Sequence, residues 1–273
     1  MRCLPGIIAL VLSVGMVPAL RAEQPIFDEM PRWSGGWGFQ ILEEYRRHAD
    51  FLAGSKVVGP GATEEIHLLH VQGVYTWKKW IRATAKLPVV LYAERERVLP
   101  DGARRRESDR GLGDLTLALP LKKYFNLDGR SGSWGLTPNL RVPLSGVDEY
   151  EVFDRRWGTG LGVSYVTETH RYMFDAGLTA WAVFEGPPNE VFATISLGLN
   201  FDLLGIHGHV KLRNTLRYQD DDSLTYRAGP VMHIACTDTI HLQLMWLRDY
   251  YDRQGTPRPG NGDRFRLGVG FVY

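Results

Sequence analysis

In the stretch "GHVKLRNTLRYQ" the cations Lys211, Arg213 and Arg217 fall on positions of one parity, and Arg264 and Arg266 repeat that spacing near the C-terminus. On an extended chain, alternate side chains share a face. Arg82 and Lys86, Arg141 and Arg227 lie in comparable alternating stretches, so nine cations are candidates for one basic wall. Such a wall can attract and hold small anions, because fixed charge in a low-dielectric enclosure focuses potential. It can equally pair with carboxylates and fill the enclosure, as in narrow packed barrels. Same-face carboxylates are fewer: Glu44, Asp114, Asp175 and Asp202.

A second polar group is histidine. His207 and His209 flank Gly208, and His233 and His241 follow in the next two strand-like stretches. A metal or catalytic cluster is one reading and polar wall residues near a turn is the other; isolated histidines seldom make a site without matched partners. No G-x-S-x-G elbow, H-E-x-x-H or paired C-x-x-C is present, so no catalytic residue, resident metal or cofactor is expected. "WGTGLG" lacks the following helix that a phosphate loop needs, and Gly158, Gly160 and Gly162 read as inward or bend positions of a curved sheet.

The elements that must carry these residues have period two. In "VFATISLGLNFDL", Val191, Ala193, Ile195, Leu197, Leu199 and Phe201 alternate with polar or small residues, and "DLTLALPL" repeats the pattern with four leucines. The pattern predicts about twelve strands: 36–46, 65–77, 80–92, 111–121, 134–144, 157–167, 172–184, 190–202, 206–218, 225–235, 239–249 and 263–273. Each approaches the ~9 to 11 residues that cross a bilayer at a tilt.

The N-terminus, "MRCLPGIIALVLSVGMVPALRA", predicts a secretory signal over 1–22, cleaved to leave one domain over 23–273. Cys3 would leave with it, and Cys236 could then form no intrachain disulfide. Loss of Arg2 and Arg21 turns 32 basic and 31 acidic residues into 30 and 31, a net charge of −1 that speaks against nucleic acid as a partner. With 8 Trp, 12 Tyr, 11 Phe and 30 Gly, and no apolar run long enough for a helical span, the candidates are a soluble β-sandwich and a transmembrane β-barrel.

Three features favour the barrel: strand lengths, aromatics near strand ends, and a terminal aromatic. Trp37, Tyr75, Trp77, Trp80, Trp134, Trp157, Tyr172, Phe184, Tyr218 and Trp246 would form interfacial girdles. The last strand, "DRFRLGVGFVY", puts Phe265, Leu267, Val269, Phe271 and Tyr273 towards lipid, and its final tyrosine resembles the signal read by barrel-assembly machinery.

The connections should alternate long and short. Segments 47–64, 93–110, 145–156 and 250–262 read as long outward loops, whereas "WKKW", "ETHR" and "CTDT" read as tight inward turns. The short outward loops "EGPPNE" and "QDDDS" and the long inward segment "KKYFNLDGRSGS" depart from the rule. The arginines of "ERERVLPDGARRRESDR" could meet lipopolysaccharide phosphates, or the loop could be a solvated run of mixed charge. Glu43 shares a face with Phe39 and Ile41, which predicts a bulge there or an apolar band that ends before it.

"RGLGDLTLALPLKKYF", with Gly111, Gly113 and Asp114, and "LRVPLSG", with Pro143 and Gly146, resemble the MetA-pathway phenol-degradation family of outer-membrane proteins; "WGTGLGVSY" is similar to a glycine-rich strand of that family. The resemblance implies an all-β, up-and-down outer-membrane barrel acting as a channel for small, often aromatic, compounds. Outer-membrane lipid and lipopolysaccharide would be its surroundings and a small-molecule solute its cargo. Two other functions stay open: an outer-membrane lipid-modifying enzyme resembling the phospholipases, and a structural barrel with a plugged lumen.

Overall fold

The computed structural model describes residues 35–98, 103–127, 129–144, 152–153, 156–184, 189–203 and 206–273. The expected signal segment and Cys3 lie outside them. The strands are β1 (Gly36–Gly54), β2 (Lys56–Lys78), β3 (Ile81–Val98), β4 (Arg104–Leu112), β5 (Leu115–Ala118), β6 (Leu121–Leu127), β7 (Arg130–Val142), β8 (Gly158–Glu168), β9 (Tyr172–Val183), β10 (Glu190–Leu203), β11 (Ile206–Gln219), β12 (Leu224–Ala235) and β13 (Ile240–Val272).

Among the described residues the strand pairings are antiparallel, and the sheet closes on itself because β1 pairs with both β2 and β13 while β2 also pairs with β3. Closure removes the sheet edges and satisfies the ladder bonds internally, which a bilayer demands. β4, β5 and β6 follow one another along a single pass between β3 and β7. β13 doubles back: Val272 N–H donates to the Thr239 carbonyl at 2.9 Å, and the Trp246 and Phe265 rings stack at 6.1 Å. Its first arm pairs with β12 and its second with β1. The thirteen elements therefore make twelve passes, the number that the alternation predicts.

The strand predicted over 111–121 is broken twice. After β4 the Gly113 N–H turns to the Pro88 carbonyl at 2.8 Å, and after β5 Pro120 has no N–H to offer a ladder. A bulge in β3 between Val90 and Ala93 lies opposite the first break. Most expected outward loops are extensions of the sheet: β1 and β2 run on to a tight turn at Ser55, β3 and β4 continue to 98 and from 104, and β13 is extended throughout its reversal. Segment 145–156 keeps irregular residues, of which 152–153 and 156 are described. "KKYFNLDGRSGS" is not a long loop; it continues β6 and begins β7 around a turn at Gly129, so the short-turn rule holds there after all. Hydrophobic period alone does not stop at a membrane boundary, because polar residues also pair in ladders.

The sheet is inside-out relative to a soluble sandwich. Outward Leu197 is 64% exposed, while inward Ser196 beside it is 0% exposed. Trp37, Trp77, Trp80, Trp134 and Tyr172 ring the end that holds the short turns; Trp157, Phe184 and Tyr218 stand at the other, and all eight are exposed. This is the polarity of a barrel standing in a bilayer. Glu43 faces outward between Leu267 and Leu69 in unbroken register, so no bulge forms there; the register shifts in β1 begin only beyond His48.

Candidate functional site

The interior divides into a packed half and a hollow half. On the packed side, β2 and β3 contribute Ile66, Leu68, Val90 and Ala93, against which Val152 and Phe153 from the β7–β8 connection are seated. Val152 N–H donates to Asp109 Oδ2 at 3.1 Å. A Cβ on Gly113 would stand 2.5 Å from the Phe153 ring, so only glycine lets that ring in. Arg82, Lys86 and Gln72 are buried on the same two strands, nearer the β2–β3 turn, at 0%, 2% and 0% exposure.

At its centre lies Glu44, fully buried. Arg266 Nε reaches Glu44 Oε2 at 2.9 Å, Arg264 Nε reaches Oε1 at 3.4 Å, His70 Nε2 meets Oε2 at 3.1 Å, and Arg46 also pairs with Oε1. One carboxylate thus gathers three arginines, a cost of desolvation recovered only through several charge-assisted bonds.

The hollow side, β9 to β13, encloses a chamber of about 230 Å³. Lys211, Arg213 and Arg217 enter it from β11, Arg227 from β12, and Arg258, Arg264 and Arg266 from β13; Arg46 and Lys122 complete nine lining cations. Three carboxylates line it: Asp175, Asp249 and Asp252. Lys211 Nζ bonds Asp175 Oδ2 at 2.9 Å, Arg227 Nε bonds Asp249 Oδ1 at 2.6 Å, Arg217 Nε bonds Glu190 Oε2 at 2.8 Å, and Arg258 Nη2 bonds Asp221 Oδ2 at 2.6 Å. Glu44, Glu190 and Asp221 stand behind the wall as further partners, and among the described lining residues nine cations stand against three carboxylates.

Six of the nine cations singled out from sequence line the chamber. Arg82, Lys86 and Arg141 face inward but do not: the first two are enclosed in the packed half, and the Arg141 guanidinium lies 5.0 Å over the Trp181 ring. Trp181 itself points inward because Gly160 leaves it room; a Cβ there would come within 2.7 Å of the indole. The inward reading of Gly158, Gly160 and Gly162 is thereby met. Asp175 and Glu44 sit among the cations, Asp114 is buried near the break after β4, and Asp202 is at the rim with His207, 3.2 Å away.

Sequence reasoning missed Arg46, His48, Arg258, Asp249, Asp252 and Glu190. Most lie at strand ends or in stretches read as loops, and a bulge in β12–β13 after Tyr226 shifts the parity by one. The expected shortage of inner carboxylates is corrected for that reason.

The chamber shares His209, Lys122 and Val166 with a wider vestibule of about 1100 Å³ at the short-turn end. There His209 and His233, directly opposite on β11 and β12, stack with centroids 5.2 Å apart, and His233 stacks on His241 at 5.5 Å. Among the described residues no three His, Cys, Asp or Glu side chains are arranged to hold a metal ion. In the outer β3–β4 hairpin Arg104 pairs with Glu96 at 3.1 Å, Arg105 with Glu107 at 3.8 Å, and Arg106 with Glu94. That hairpin is a mixed-charge ladder.

The fold is that of outer-membrane barrels. The COG4313 outer membrane channel from Pseudomonas putida F1 superposes with a TM-score of 0.71 over 92% of this chain and 100% of its own, at 18% identity. A KdgM porin crystallised with oligogalacturonate gives a TM-score of 0.44 at 8% identity. No protein-family model and no curated protein matches the chain.

Proposed function

We propose that the protein is an outer-membrane channel for small solutes whose chamber favours anions, among them small aromatic carboxylates. The observation that carries this reading is the excess of cations on the chamber wall. Lys211, Arg213 and Arg217 repeat along one strand, so an anion entering the enclosure meets successive cations whose wall carboxylates it can exchange for its own charge. Such exchange keeps each binding step shallow, as conduction requires. On the chamber wall Phe192 lies under Arg217 at 5.7 Å, an aromatic face beside a cation that suits a planar ring carrying a carboxylate.

The family resemblance and the barrel fold agree with this assignment, and the chamber favours it over a plugged structural barrel. We read the protein as a non-enzyme whose final strand is recognised by assembly machinery and whose outer face meets lipid and lipopolysaccharide. The test is reversal potential across a planar bilayer under a salt gradient. Wild type should prefer chloride to potassium, and Arg213→Glu should lower that preference several-fold. Absence of current from folded protein, or a preference indifferent to Arg213→Glu, would sink the anion-channel reading.

A further inference from the structure

Five of the eight histidines in the chain, His170, His207, His209, His233 and His241, line the vestibule at the short-turn end. Three of them differ in kind from the rest of the interior. His48 meets Glu64 at 2.7 Å, His70 meets Glu44 at 3.1 Å, and His207 meets Asp202 at 3.2 Å. Among the described residues no carboxylate touches His209, His233 or His241. A carboxylate takes up an imidazole nitrogen as a hydrogen-bond partner, whereas an imidazole without one keeps a lone pair for a soft or borderline cation.

The placement of these three follows from the sheet. His209 and His233 are direct cross-strand partners, and directly opposed side chains start from Cβ atoms about 4.5–5.5 Å apart. Their rings lie 12° from parallel with centroids 5.2 Å apart, and His241 extends the row at 5.5 Å and 23°. Rotation of the two side chains out of this stack would bring one nitrogen of each to the ~2.0–2.1 Å at which zinc and its neighbours are bound. Lys211, the nearest cation on the same strand face, is already held by Asp175 at 2.9 Å.

We propose that His209 and His233 form a two-imidazole site for a divalent transition-metal ion of the nickel, copper or zinc class, with water completing the coordination. Because His209 borders both the vestibule and the chamber, an ion bound there stands in the passage between them. Occupancy would narrow the path from the short-turn side. Hard cations with oxygen preference, such as magnesium, gain nothing at such a site.

Binding is measured directly, without reference to conduction, so failure of the site and failure of the channel reading are separable. Equilibrium dialysis of purified barrel in detergent against nickel chloride should give about one ion per chain, displaced by zinc and not by magnesium. His233→Ala, and separately His209→Gln, should weaken binding by at least about 10-fold, as loss of one of two ligands removes 1.4 kcal/mol or more; His207→Ala should leave it unchanged. Heat-modifiable gel migration verifies that each variant is folded. Binding that survives both His233→Ala and His209→Gln, or that is lost in His207→Ala instead, overturns the proposal, as does equal competition by magnesium.

Discussion

The two halves of the interior use the same residue types to opposite ends. Around Glu44 three arginines converge on a single buried carboxylate at the border of the chamber; along β9 to β13 Lys211, Arg217 and Arg227 each take a carboxylate of their own from the wall and the chamber remains. The difference lies in what else points inward. The packed half carries Ile66, Leu68, Val90 and the inserted Val152 and Phe153, whereas the hollow half carries Gly177, Thr194 and Thr215 between its charges. Small inward side chains on a barrel wall leave volume for solute; large ones close it.

The contrast can be broken most severely at Glu44. Glu44→Gln leaves Arg46, Arg264 and Arg266 without their shared carboxylate and should cost about 3–5 kcal/mol, the penalty of stranding buried charge. The readout is the urea midpoint in detergent micelles, and a shift under ~1 kcal/mol would show the cluster to be solvated. Phe153→Ala comes next, at about 3 kcal/mol for an aromatic removed from a buried cluster. It should also raise single-channel conductance if the cavity it leaves joins the lumen, and unchanged stability would mean that the β7–β8 connection does not seal that half.

Asp175→Asn probes the hollow half, where Asp175 keeps 17% of its side chain exposed and Lys211 8%. Water can replace part of the lost bond, so about 1 kcal/mol or less is expected. The freed Lys211 charge should strengthen chloride preference in the bilayer, by a smaller factor than Arg213→Glu weakens it. If Asp175→Asn costs as much as Glu44→Gln, the two halves are not energetically distinct.

Particular elements show where sequence was sufficient. β10 and β11 match their expected spans almost residue for residue, because one side of each meets only apolar surroundings and a slip by one residue would reverse every side chain. The pass through β4, β5 and β6 was misread as one strand, since nothing local says that Phe153 will lie against Gly113. Asp252 was missed because its stretch carries polar residues like a loop yet is paired as sheet beyond a bulge, whereas Asp249 closes the expected strand 239–249. Their carboxylates turn a basic arc into a partly paired lattice that keeps a surplus of positive charge.

Alternation of apolar and polar residues by itself determined an antiparallel sheet of about twelve passes and which side of most strands faces in. These are properties of a two-residue period and need no knowledge of neighbours more distant than the next strand. Tertiary structure decided which inward cations share a chamber and which are walled in, because that depends on bulges, on one inserted connection and on the size of side chains arriving from across the lumen. Distances across a barrel are set by closure, and closure is a property of the whole sheet.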